Sequence, residues 1–220
     1  MNAVPLLFAE AVGPLLPNKS LCSLKDLSSG VFANVGRSLY EKRLYLYLDV
    51  VFNPEAGGFD YIVDCTRFPQ GDPYTFNPAD SRFVRQIEVN LFKEKSDLRS
   101  WTTATPTDPT FLKWLRASFA RTFLVLRYSC PEFLKLLPSC CTFNEIRAGR
   151  AYNDGIDAVI QRSQDFERLE SVTCPQFFKK RGNEASAEWI LTNNRLKNVS
   201  DYNVSNRAGI EDALTQILSD

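Results

Sequence analysis

The sequence predicts an α/β protein: a small helical amino-terminal module, then a mixed sheet that continues as irregular strand–helix units. Three observations predict it. Between residues 4 and 40 apolar side chains recur at intervals of three and four, the period of a buried helix face. From Arg43 the period drops to two, so that Leu44, Leu46, Leu48, Val50 and Phe52 share one face of an extended chain. In the second half a φxxφxxφ phrase, φ being apolar, occurs as Phe143, Ile146 and Gly149, as Phe166, Leu169 and Val172, and as Leu196, Val199 and Tyr202.

In chain order, Val4-Pro5 opens a first helix with Leu7, Phe8, Ala11, Val12, Leu15 and Leu16 at helical intervals. Pro5 suits a first turn, where its missing N–H would have no partner anyway. Pro17-Asn18 ends that helix. Leu21, Leu24, Leu27, Val31, Phe32, Val35 and Leu39 then divide between two short helices broken at Ser28-Ser29-Gly30. So short a module cannot hold a core alone and needs a further surface to cover its apolar face.

The alternating strand from Arg43 to Phe52 turns at Asn53–Gly58 and returns as Phe59–Phe68, an antiparallel hairpin. Residues 69–80 read as a long polar loop whose Tyr74 and Phe76 either form an exposed binding tip or pack beneath it, packing being the favoured reading. Val84–Leu91 is the next strand, and residues 93–108 read as irregular. Asp108 caps a helix with Pro109 at its first position and Phe111, Leu112, Leu115 and Phe119 as its buried stripe. Thr122–Leu126 is apolar on both faces, as a central strand requires. Pro131 opens a short helix through Leu137, which Pro138 closes.

The first copy of the phrase is followed by Asn153-Asp154, a capping pair ahead of Ile156, Val159 and Ile160. The last is followed by Asn206 ahead of Ile210, Ala213, Leu214, Ile217 and Leu218. Cys174–Phe178 and a helix over Ala185–Leu191 fill the gap before the last copy. Strand, helix and strand again is the cassette of a parallel sheet with helices on one face, and a leucine-rich-repeat-like array is its repeating form. The copies start 23 and 30 residues apart, which makes the units irregular. No linker of glycine, serine or like charges interrupts this region, so the expected division is residues 1–41 for the helical module and 42–220 for the α/β region.

Composition removes whole classes of chemistry. The chain has no histidine, so an imidazole base, a Cys-His or Ser-His pair and a His-ligated metal are excluded. Six cysteines at 22, 65, 130, 140, 141 and 174 contain no CxxC and read as buried thiols of a reducing compartment, cytoplasmic or nuclear. Basic and acidic residues balance at 26 each, which gives no net field to attract nucleic acid. No stretch is long enough to span a membrane, and Glu10 with the lack of a basic start argues against an export signal in the apolar segment 1–16. Asp60 and Asp64 share a face at i, i+4, but read as solvent-facing carboxylates of a hairpin strand rather than an acid–base pair. Cys140-Cys141 lacks a basic neighbour to activate it, and Lys179-Lys180-Arg181 reads as a solvated helix end. No catalytic residue, cofactor or metal site is expected.

One resemblance carries a function. A Val4-Pro5 start, an apolar helix, and Leu21-Cys-Ser-Leu24-Lys-Asp-Leu27-Ser28 leading to Phe32 and Val35 resemble an F-box. Val4–Val12 followed by Tyr40-Glu-Lys-Arg43-Leu-Tyr-Leu-Tyr is similar to the opening of nematode F-box-like proteins, in which a divergent F-box precedes an α/β, leucine-rich-repeat-like substrate region. The acidic residue after the proline and the tryptophan near residue 32 are missing from this chain. The resemblance implies a non-enzymatic substrate receptor that links a protein target to a Skp-type adaptor of a cullin ubiquitin ligase, with Val4, Pro5, Phe8, Val12, Leu16, Leu24 and Leu27 as the adaptor-binding side chains. The residues alone allow a second reading, a stand-alone interaction scaffold whose first helices only cap the domain. No residue stands out as the contact for the target.

Overall fold

The computed structural model describes residues 12, 16, 18–27, 30–67, 77, 83–95, 100–116, 121–149, 153–193, 195–199 and 204–219. These form a mixed α/β structure. Helices α1 (Asn18–Lys25) and α2 (Val31–Glu41) come first, followed by strands β1 (Leu44–Asn53), β2 (Gly58–Arg67), β3 (Val84–Phe92) and β4 (Thr102–Ala104). Then α3 (Pro109–Leu115), β5 (Arg121–Leu126), α4 (Pro131–Cys140), β6 (Glu145–Arg147), α5 (Asp154–Asp165) and β7 (Ser171–Thr173) alternate. The chain continues as α6 (Pro175–Arg181), α7 (Asn183–Thr192), β8 (Asn198–Val199) and α8 (Val204–Ile217). The strands lie in the order β4-β2-β1-β3-β5-β6-β7-β8. Two compact units are present, one of residues 1–47 and 63–87, the other of 48–62 and 88–220.

The hairpin forms as its alternation predicts. Leu44, Leu46, Leu48 and Val50 are all buried, and the turn is closed by Asn53, whose Oδ1 accepts from the Ala56 N–H at 3.0 Å. Gly57 takes φ 59°, a conformation that β-carbons disfavour. At Gly58 a Cβ would come within 2.3 Å of the Ala104 carbonyl oxygen, so only glycine lets β4 approach. That strand was not expected: residues 93–108 read as irregular, yet Thr102–Ala104 pairs antiparallel with β2, Phe59 opposite Ala104. Two threonines and an alanine are too few to show a hydrophobic period; their partner strand supplies the order.

In the second unit aromatic rings lock β2 to the helices that follow. Phe59 lies 5.6 Å from Phe111 of α3 and 5.4 Å from Phe133 of α4, and Tyr61 lies 5.1 Å from Phe111. Helix α3 starts as its sequence requires: Asp108 Oδ1 accepts from the N–H groups of Thr110 and Phe111. Phe119, expected on its stripe, lies outside the described residues, as do Tyr74 and Phe76. Pro138 does not close α4, which runs to Cys140, with the Cys141 N–H still donating to the Leu137 carbonyl at 2.9 Å. A proline removes its own N–H and crowds the carbonyl one turn earlier, yet the turn after it still forms.

The parallel strands carry the strongest order. Leu124, Ile146, Val172 and Val199 lie side by side across β5, β6, β7 and β8, 22, 26 and 27 residues apart, with a helix in each crossover. The first three are fully buried. Ahead of these strands the backbone is stitched in series: the Asn144 N–H donates to Thr122, Glu170 to Asn144, and Lys197 to Glu170, at 2.7–2.8 Å. Asn144 is buried between three chain segments. Its Oδ1 accepts from the Thr122 N–H at 3.0 Å and its Nδ2 donates to the Arg168 carbonyl at 3.1 Å.

This register corrects the middle copy of the phrase. Phe166 is not a core position; it caps α5, is 59% exposed and lies under the Arg162 guanidinium at 4.7 Å. Leu169 and Val172 occupy the places that Phe143 and Ile146 hold in the copy before and Leu196 and Val199 in the copy after. Read so, the copies start 26 and 27 residues apart rather than 23 and 30.

Candidate protein-binding surfaces

The first candidate surface is the helix pair α1–α2. Leu21 is completely buried, and Leu24 is half-buried where the helices cross. At Gly36 an added Cβ would stand 2.8 Å from the Leu24 Cβ and 3.0 Å from the Lys25 nitrogen, so the crossing needs a residue without a side chain. Gly30 precedes α2 with φ 107°, a conformation that turns the chain without a β-carbon penalty. The turn between the helices leaves Leu27 47% and Val31 43% exposed, a pair of large apolar side chains facing water. Nζ of Lys25, the last residue of α1, lies 4.3 Å from the centroid of the Tyr40 ring near the end of α2.

Of the seven side chains the resemblance points to, Val4, Pro5 and Phe8 lie outside the described residues. Val12 is helical and half-buried, and Leu16 is half-buried in a bend, its carbonyl accepting from Arg43 Nη2. Leu24 and Leu27 belong to the α1–α2 pair just described. None of the four is fully covered.

The opposite face of the parallel strands is the second candidate, and much of it is covered: Phe123, Ser171 and Thr173 are buried, Val125 and Glu145 half-buried and Arg147 exposed. Side chains alternate along a strand, so with Leu124, Ile146 and Val172 in the core, the registers set Phe123, Glu145 and Ser171 in one row of the opposite face and Val125, Arg147 and Thr173 in the next. Charges rim it. Glu170 accepts from Arg121 at 2.8 Å and from Lys197 at 3.0 Å, and Arg147 pairs with Glu145. Arg121 also lies 5.3 Å from the Phe123 ring. Sequence reasoning named no residue here, because period-two alternation is invisible in strands of two and three residues. The usable signal was the spacing of the buried column, one turn of chain per strand.

The groups weighed for chemistry are occupied otherwise. Asp60 is not solvent-facing; it is 2% exposed and accepts from Thr103 Oγ1 at 2.5 Å, Asn53 Nδ2 at 2.8 Å and Lys95 Nζ at 2.9 Å. Burial alone would raise its carboxyl, but the hydrogen bonds from Thr103, Lys95 and Asn53 outweigh burial and hold it below the usual range. Cys65, Cys130, Cys141 and Cys174 are buried thiols, and Cys141 Sγ donates to the Leu137 carbonyl. Burial pushes the Cys174 thiol up to about 11 and raises that of Cys130, the direction opposite to activation. Among the described residues no group of three or more His, Cys, Asp or Glu could hold a metal ion, and no helix is long and apolar enough to cross a membrane. What both surfaces offer is apolar burial, hydrogen bonding and ion pairing. No family model matches the chain, and no curated protein or solved structure matches it.

Proposed function

We propose that the chain is a substrate receptor of the F-box-like kind, whose amino-terminal helices bury apolar side chains against a Skp-type adaptor of a cullin ubiquitin ligase. The α/β region, read as a leucine-rich-repeat-like array, would hold the protein target. The observation that carries the adaptor half is the exposed pair Leu27 and Val31 at the turn of a short helix pair whose Leu24 is only half covered. Large apolar side chains left in water are what an interface buries, and a few of them supply most of its energy. Support for the array comes from parallel strands spaced 22, 26 and 27 residues apart, each separated from the next by helix. A second reading, in which the helices only cap the domain, is favoured by the complete burial of Leu21 and by the Arg43 tie to the Leu16 carbonyl.

One measurement separates them. The intact chain is titrated with a recombinant Skp-type adaptor by calorimetry at low salt. The receptor reading expects a saturable complex that Leu27→Glu weakens by about thirtyfold or more, equivalent to a hot-spot loss of ~2 kcal/mol, while the variant's unfolding temperature stays unchanged. No complex with the wild-type chain rejects the adaptor role and leaves the capping role.

A further inference from the structure

Helices α7 and α8 carry matching exposed stripes, 27 residues apart in the chain. Along α7, Glu184, Glu188 and Leu191 follow one another at the four- and three-residue intervals of a single helix face; along α8, Glu211, Thr215 and Leu218 do the same, and all six are exposed. The offset of 27 residues is also that of Val172 and Val199, which pair across β7 and β8. Gly209 of α8 lies against the first residue of α7, where an added Cβ would collide with the Asn183 side chain, so the helices sit side by side at nearly that offset. The stripes are therefore level. Leu191, 39% exposed, and Leu218, 72% exposed, mark the same end of the pair, with the Leu218 N–H still donating to the Leu214 carbonyl in the last turn of α8.

Two large apolar side chains left in water at one end of a helix pair are what a partner covers. The charge around them says which kind. In a chain of zero net charge, α7 and α8 hold Glu184, Glu188, Glu211 and Asp212 against one cation, Arg207. Neither helix has a basic residue in its last turn, so none of their own cations offsets the partial negative charge of the two carboxyl ends beside the leucines. The cations that follow α7 are engaged elsewhere, Arg195 by Glu167 at 3.5 Å and Lys197 by Glu170 at 3.0 Å. A covering partner must bring apolar side chains to one end and cations to the rest, along ~10 Å of helix. An amphipathic helix with a lysine- or arginine-rich side does both. An acidic segment opposes like charges, and a second copy docked face to face sets these same carboxylates against each other. We propose that the outer face of α7 and α8 docks a basic amphipathic helix of a protein partner. This names a partner class for the α/β region of the receptor reading and rests on that half of it, not on the adaptor half.

The full chain is titrated by calorimetry with an amphipathic helical peptide of lysine and leucine, with its glutamate-for-lysine analogue and with its alanine-for-leucine analogue. Expected is one saturable site for the first peptide, both analogues binding more weakly by about tenfold or more, and an affinity that falls with added salt. Leu191→Ser with Leu218→Ser changes only exposed positions, and so does Glu188→Lys with Glu211→Lys. Each pair is expected to weaken the lysine–leucine peptide by about tenfold or more. The charge variant is also expected to flatten the salt dependence, which the serine variant keeps. The proposal is overturned if the peptide does not bind, if both variants bind it as the wild type does, or if the glutamate analogue binds as tightly. It is also overturned if the wild type sediments as a dimer that the serine variant dissociates, since the occupant is then a second copy. Adaptor binding measured on the same variants keeps the readings apart: an intact adaptor complex with no peptide binding strikes this face alone, and peptide binding without an adaptor complex strikes the adaptor role alone.

Discussion

A carboxylate with almost no solvent contact must find its hydrogen bonds inside the protein, and Asp60 finds three, from Asn53 in the hairpin turn, Thr103 in β4 and Lys95. Its charge is thereby part of the fold rather than of a site. The consequence for pH has a definite sign. An unfolded aspartate titrates near ~3.9, and the folded value lies below that, so the stabilisation is fully present above the unfolded value and lost as pH falls through the folded one. The urea midpoint of the wild type is expected to drop between about pH 5 and pH 2 more steeply than that of Asp60→Asn, whose side chain does not titrate. Parallel curves for the two proteins would refute this. The reading of Asp60 as solvent-facing failed because the short strand β4, which covers it, carries no pattern of its own.

At the scale of elements, the parallel strands test the register most directly. If the buried column is Leu169 and Val172 rather than Phe166, the energetic ranking of these residues inverts the one expected from side-chain size. Leu169→Ala removes a fully buried side chain and is expected to cost ~2–5 kcal/mol of unfolding free energy. Phe166→Ser, at an exposed cap, is expected to change it by less than about 0.5 kcal/mol. Denaturant titration of both variants decides it, and a large loss at Phe166 would restore the earlier register. The helix pair depends on Gly36 in the same geometric way. Its contact with the Leu24 Cβ explains why a glycine sits inside a helix that it otherwise weakens. Much of this level was legible: the hairpin, the Asp108-Pro109 start of α3 and the Asn153 cap of α5 all follow from local chemistry, and each is present. The middle copy of the phrase was misread because an apolar residue in the last turn of a helix is indistinguishable, in one dimension, from one on a strand.

For the whole molecule, thiols report how far burial extends. Cys130 and Cys174 each precede a proline at the start of a helix, followed two residues later by a buried phenylalanine, Phe133 and Phe177. This Cys-Pro-x-Phe recurrence is an internal likeness between two of the strand–helix units. With both thiols buried and their pKa values raised, alkylation followed by peptide mass spectrometry is expected to label them only as fast as the protein unfolds, and the half-buried Cys22 sooner. Rapid labelling of Cys174 in native buffer would contradict the burial described here.

By itself the sequence determined the α/β class, the hairpin, the Asp108 and Asn153 helix starts and the exclusion of imidazole chemistry, because each rests on local periodicity, capping or composition; the last helix begins at Val204, ahead of the expected Asn206. Only the tertiary structure decided which residues of the short strands form the buried column, and that Asp60 is a buried hub. Those facts arise from partners distant in the chain, and residues brought together by pairing leave no period in the sequence that precedes it.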